Sequence, residues 1–156
     1  MPKKIRIDST THPRFAEFWS IYEHSFPLCE RRDLSHQKTI FQNQTYCLEA
    51  WLKDDQFIGF IGWWSHPHFA YVEHYAINPN LKSKGYGTRL LQDWMKTAPT
   101  PIVLEIEPLT DETTRRRFKF YQKLSFVKTP FQHQHPSYHP GLPPVDLNLL
   151  SYTVEI

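Results

Sequence analysis

A chain of 156 residues with 40% hydrophobic and 22% charged residues has ordinary globular composition and length for one domain over 1–156 with a buried core. Its formal net charge of +2 gives no electrostatic reason to expect a nucleic-acid or membrane partner. Two cysteines, Cys29 and Cys47, without metal-ligand spacing, argue for a reducing cytoplasm over a secreted disulfide framework; neither a signal-peptide run nor a span of roughly 20 apolar residues occurs.

The opening M-P-K-K-I-R-I-D is strand-like. Residues 10–26 predict a helix capped by Thr10 or Thr11, with Pro13 in its first turn and Phe15, Phe18, Trp19 and Tyr22 at helical spacing. A second helix is expected from about Arg32 to Gln42. Three strands follow, Tyr46 to Lys53, Phe57 to Trp64 and Ala70 to Ile77, separated by the hairpin stretches D-D-Q and S-H-P-H. Residues 86–97 read as a helix with Leu90, Leu91 and Trp94 on one side, 102–106 as a strand and 111–124 as a helix. A last strand is expected over 148–155, with a further one near Phe126 to Phe131. This order predicts an α+β fold: a mostly antiparallel mixed sheet flanked by helices, with one strand–helix–strand unit in its second half.

The stretch K-S-K-G-Y-G-T (82–88) spends two of the chain's five glycines at the start of a helix. A helix start offers about four unpaired N–H groups and a partial positive charge, and glycines let that backbone approach an anion closely. Lys82, Lys84 and the Thr88 hydroxyl add donors. A tight turn into a solvated helix is the plain alternative. Neither G-x-x-x-x-G-K-[ST] nor a strand-initial G-x-G-x-x-G is present.

In its context the stretch A-I-N-P-N-L-K-S-K-G-Y-G-T-R-L-L resembles motif A of the GNAT acetyltransferase superfamily, [R/Q]-x-x-G-x-[G/A] at a helix start, with Lys82 at the Arg/Gln position. The block R-R-F-K-F-Y-Q-K-L-S-F (116–126) resembles the family's later helix, which commonly ends F-Y-x-x-x-G-F; Ser125 replaces the glycine. The resemblance covers residues 46–127 well, the N-terminal helices loosely and the tail by position only.

It implies the GNAT fold and transfer of an acetyl group from acetyl-CoA to an amine, without a metal. Residues Lys82, Ser83, Lys84, Gly85, Tyr86, Gly87 and Thr88 would cradle the pyrophosphate. Backbone near Ala76 and Ile77, where a bulge would split this strand from the next, would polarise the carbonyl, and Arg117 would touch coenzyme A. The amine must be delivered uncharged, which calls for a base. Strand alternation puts Tyr71, Glu73 and Tyr75 on one face, with Val72, His74 and Ala76 on the other. The resemblance makes Glu73 the base, with Glu105 and Glu107 in reserve as base or as a grip on a cationic substrate. A surface ion pair is the structural alternative for Glu73. His74 is expected to pack. Tyr121 matches the family tyrosine that protonates the departing thiolate, and it also fits a core aromatic beside Phe118 and Leu124.

In T-P-F-Q-H-Q-H-P-S-Y-H-P-G-L-P-P (129–144) the three histidines invite a metal reading. The prolines favour a loop instead, one that covers the acceptor site with Tyr138. A small-molecule amine acceptor is expected, with a monomer or homodimer and no nucleic-acid or membrane partner. The rival is an acyl-CoA-binding sensor of the same fold that does not turn over.

Overall fold

A computed structural model describes residues 2–135, 138–139, 141–142 and 145–153; Pro136, Ser137, Pro140, Pro143 and Pro144 of the His/Pro-rich stretch, and the end of the expected last strand, lie outside the described residues. The elements are β1 (Lys3–Arg6), α1 (Phe15–Ser25), α2 (Leu34–Ile40), β2 (Tyr46–Lys53), β3 (Gln56–His66), β4 (Phe69–Ile77), α3 (Tyr86–Met95), β5 (Ile102–Ile106), α4 (Glu112–Lys123), β6 (Val127–His135) and β7 (Val145–Tyr152). The strands form one seven-stranded sheet ordered β1-β2-β3-β4-β5-β7-β6. Among the described residues only β4 and β5, joined through α3, pair in parallel. This is the α+β architecture that the element order predicts.

Each sheet face is covered by its own core. On one, Leu90, Leu91 and Trp94 of α3 pack with Ile61, Val72, Leu104 and Leu150. On the other, Phe15, Phe18 and Tyr22 of α1 pack with Leu48, Ala50 and Phe60. The side chains that recur at helical spacing are therefore the ones removed from water, each contributing on the order of 1.5–3 kcal/mol. Asp54 and Asp55, with φ of 51° and 67°, make the two-residue turn that brings Lys53 opposite Gln56.

Several boundaries differ from the sequence reading for local reasons. Helix α1 starts at Phe15, and neither Thr10 nor Thr11 caps it: the Ser9 and Thr11 hydroxyls pair at 3.0 Å, and the Arg14 N–H donates to His12 Nδ1. Helix α2 starts after Asp33, whose carboxylate accepts the His36 N–H at 2.9 Å, so Arg32 stands outside it. The last strand runs Val145–Tyr152, and the first stretch of the His/Pro-rich region is strand β6. Its ladder breaks between Lys128 and Gln132, around a proline that has no N–H to donate.

The end of α4 explains the departure at Ser125. The Ser125 N–H donates to the Gln122 carbonyl at 3.0 Å and the Phe126 N–H to the Tyr121 carbonyl at 3.1 Å, a Schellman cap with Ser125 left-handed at φ 73°. A Cβ at such a position costs roughly 1–2 kcal/mol. Ser125→Gly is expected to stabilise the protein by about 1 kcal/mol, raising Tm by about 2–4 °C in a thermal melt.

A cleft opens where β4 and β5 separate. Their parallel pairs run Ala70/Ile102, Tyr71/Val103 and Val72/Leu104 and stop there. At the same level β4 takes one extra residue, Glu73, because Trp63 faces Val72 while Gly62 faces His74. Beyond it the strands diverge.

Candidate active site

The bulge at Glu73 reverses the alternation expected from the sequence. Tyr71 and Glu73 share a face, but Tyr75 does not: it joins the α3-side core, while His74 meets Tyr22 and Phe26 edge-on at 4.9 and 4.7 Å on the α1 side. The Tyr75 hydroxyl instead donates to the Gly87 carbonyl at 2.6 Å, tying β4 to the first turn of α3. The split between strands thus occurs earlier than Ile77, and backbone along 73–77 on the β5 side is left without ladder partners from β5.

The cleft holds about 810 Å³ and is walled by β4 from Tyr71 to Ile77, by Leu104 to Glu107, by the glycine loop, by α4 and by Tyr138. Of the expected site residues, Glu73, Ala76, Ile77, Lys82, Ser83, Gly85, Tyr86, Gly87, Glu105, Glu107, Arg117, Tyr121 and Tyr138 all line it. Lys84 and Thr88 of the same loop are exposed and are not among the residues that line it. The loop's backbone accounts for Gly85 and leaves room at Gly87. Gly85 is the helix cap at φ 79°, and a Cβ at Gly87 would meet only Phe120 and Ile77 at ordinary contact distance. Backbone N–H groups at the start of α3, with Lys82, Arg116 and Arg117 on the rim, form a mouth suited to phosphate.

The carboxylates at the mouth and apex differ sharply. Glu73 is buried and has both oxygens occupied. Its Oε1 pairs with Arg32 and accepts from Trp64 Nε1 at 3.1 Å, and its Oε2 accepts from the Tyr138 hydroxyl at 2.7 Å. Burial pushes this carboxyl up, but His74, Arg32 and the hydrogen bonds from Arg32 and Tyr138 outweigh it and hold the group at about 2. Arg32 lies between the rings of Tyr46 and Tyr138, 5.6 and 5.4 Å from their centroids, and reaches Gln37. Glu107 is taken by Arg117 at 2.8 Å. Glu105, next after the last parallel pair, accepts the Tyr71 hydroxyl on Oε1 at 2.9 Å, while its Oε2 is shielded from solvent and has no hydrogen-bond partner among the described residues.

Tyr121 packs against Phe120 and Phe126 with centroids 5.1 and 5.7 Å away, and burial raises its phenol, which therefore stays protonated at neutral pH. Its hydroxyl makes no hydrogen bond among the described residues. His74 Nε2 lies 2.7 Å from the Glu30 carbonyl, a packed and bonded position as expected from the sequence. His139 bonds the Arg31 carbonyl at 2.9 Å, while the side chains of His133 and His135 lie outside the described residues. Among the described residues no group of three or more His, Cys, Asp or Glu is arranged to hold a metal, and no helix is long and apolar enough to cross a membrane.

The description "Acetyltransferase (GNAT) family" matches residues 13–126, most of the chain. The chain belongs to the GNAT acetyltransferase family. A structure from Bacteroides thetaiotaomicron, described as an acetyltransferase from that family, superposes with a TM-score of 0.90 at 30% identity, covering 99% of this chain and 88% of the other. The ribosomal-protein-S18-alanine N-acetyltransferase from Escherichia coli shares the fold at TM-score 0.71 and 16% identity, covering 100% and 96%. So does a GNAT family acetyltransferase from Elizabethkingia anophelis with acetyl-CoA bound, at 0.67 and 16%, covering 98% of each chain. No curated protein matches the sequence.

On this GNAT frame the sequence reading missed Arg32, Gln37 and Tyr46, the cation and its supports that neutralise Glu73. Trp64, read as the end of an expected strand, donates its indole N–H to Glu73. No signal in the loop C-E-R-R-D distinguishes Arg32 from Arg31; only the fold brings Arg32 to a carboxylate 41 residues away.

Proposed function

We propose that this single-domain protein is an N-acetyltransferase that moves an acetyl group from acetyl-CoA to the primary amine of a small molecule, both bound together in the cleft. The observation that carries this reading is the meeting, in one cleft, of the glycine-loop helix start, a protonated Tyr121 and a carboxylate with an open oxygen, Glu105. The glycine loop and Lys82 hold the pyrophosphate, with Arg117 at the rim, and unladdered β4 backbone near Ala76 and Ile77 polarises the thioester carbonyl. The amine nitrogen attacks the carbonyl carbon, a C–N bond forms and the C–S bond breaks. Of the two protons the ammonium sheds, one passes to Glu105 and on to solvent. The other balances the proton that Tyr121 hands to the sulfur.

The role of base moves here from Glu73 to Glu105. A carboxylate held near 2, ion-paired and fully hydrogen-bonded, is a weak proton acceptor, and protonating it would strand the buried cation of Arg32. Glu73 instead anchors Arg32, Trp64 and Tyr138 as one wall of the acceptor site. The free cysteines Cys29 and Cys47 support a cytoplasmic setting.

The sensor reading predicts binding without turnover. Thiol release from acetyl-CoA with a panel of primary amines tests the choice: release that depends on an amine supports transfer, and tight binding with no release from any amine supports the sensor.

Two variants probe the cleft's two ends. Gly87→Val is expected to leave the fold intact, since the first added carbon has room, and to weaken acetyl-CoA at least about tenfold, or 1.4 kcal/mol. Unchanged affinity by calorimetry would remove the phosphate role of the loop. Tyr121→Phe keeps the ring and its packing and deletes the proton donor, so kcat is expected to fall about 10- to 100-fold with acceptor KM unchanged. The loss should shrink for a thioester whose thiol is more acidic. Wild-type kcat would leave Tyr121 a core aromatic.

A further inference from the structure

We propose that Tyr71 is a positioning residue of the acceptor site, fixing Glu105 so that its second oxygen receives the acceptor as a protonated alkylammonium. This rests on the acetyltransferase reading above. Tyr71 and Val103 are register partners, so Glu105, two residues along β5, shares their face just past the last parallel pair. The Tyr71 hydroxyl donates to Oε1 at 2.9 Å. Burial, and then the charges of Glu105 and Glu73, push the Tyr71 phenol up, so it donates and does not compete for a proton.

That leaves Oε2, screened from water and without a partner among the described residues. A buried carboxylate oxygen is normally satisfied, and one left bare marks a place for a donor. The neighbouring charges cannot supply it: Arg32 is committed to Glu73 and Arg117 to Glu107. An alkylammonium brings three N–H donors and the missing positive charge. A weakly basic amine, neutral in solution, brings no charge and needs no proton removed before it attacks. The pair Tyr71–Glu105 therefore selects acceptors by basicity, and it surrenders its advantage when the acceptor is already neutral.

The test compares Tyr71→Phe with wild type on two primary amines of similar shape: an alkylamine, protonated at pH 7, and an alkoxyamine, neutral at pH 7. Expected is a fall in kcat/KM of about tenfold or more for the alkylamine, a much smaller fall for the alkoxyamine, and unchanged acetyl-CoA affinity. A merely structural role would lower both amines alike. Equal losses, or no loss for the alkylamine, would overturn the proposal. Should Tyr71→Phe fold poorly, Glu105→Gln read on the same two amines must show the same selectivity. A wild-type protein that acetylates no amine overturns the acetyltransferase reading and this proposal with it, whereas wild-type turnover with an unselective variant overturns the proposal alone.

Discussion

Glu105→Gln is expected to lower turnover of a protonated alkylamine at neutral pH by about 10²- to 10⁴-fold, the usual loss when a general base is removed. The substitution keeps size and the hydrogen bond from Tyr71, and it replaces the open Oε2 with an amide that neither takes a proton nor attracts an ammonium. Acetyl-CoA affinity should not change, because the glycine loop and the α4 rim, proposed to hold the phosphates, keep their residues in this variant. Steady-state kinetics with saturating acetyl-CoA, paired with calorimetry, checks both halves. Turnover equal to wild type would return the base to Glu73 or to solvent.

Glu73→Gln is expected to act first on stability. The Arg32 and Glu73 side chains are only 5% and 6% exposed, so deleting the negative charge leaves a buried guanidinium uncompensated. Removing one partner of such a pair costs about 3–5 kcal/mol, which for a chain of this size lowers Tm on the order of 10 °C. Replacing both partners with apolar residues, as in Arg32→Met with Glu73→Leu, should recover much of the loss. The pH dependence follows from the same group. Its native carboxyl is held at about 2 against an ordinary value of 4.5, so its contribution is complete above about 4.5 and disappears as pH falls toward 2. Melts of wild type from neutral to acid pH should show that decline, and Glu73→Gln should show less of it. Equal melting of variant and wild type at pH 7 would mean that the pair carries no net stabilisation. Well below its melting temperature Glu73→Gln should keep far more turnover than Glu105→Gln, a contrast that reverses if Glu73 is the base.

Much of this was legible in the sequence because it depends on local patterns. Leu90, Leu91 and Trp94 at helical spacing mark the buried side of α3, and Asp54–Asp55 between two apolar runs marks the β2–β3 hairpin. The glycine loop could be read from its place at a helix start, and the block around Tyr121 from its likeness to a known helix. What could not be read depends on single-residue geometry or on distance in the chain. One extra residue in β4 moves Tyr75 to the other face, and no residue type announces it. Likewise, the identity of Glu105 as the open carboxylate depends on how Arg32, Tyr138 and Arg117 happen to occupy Glu73 and Glu107. At α1, a His12–Arg14 turn displaces the cap expected at Thr10 or Thr11, because a ring nitrogen supplies the acceptor that a hydroxyl was expected to supply.

The claim at the centre of this account is that the cleft transfers an acetyl group and does not merely hold its donor. Following a label on the acetyl group of acetyl-CoA, with wild-type protein and a panel of primary alkylamines, tests it most directly. The account predicts that label appears on at least one amine in step with free thiol, and that Glu105→Gln binds acetyl-CoA normally yet moves little label. Tight binding in which the label stays on the thioester for every amine, in wild type and variant alike, would contradict it.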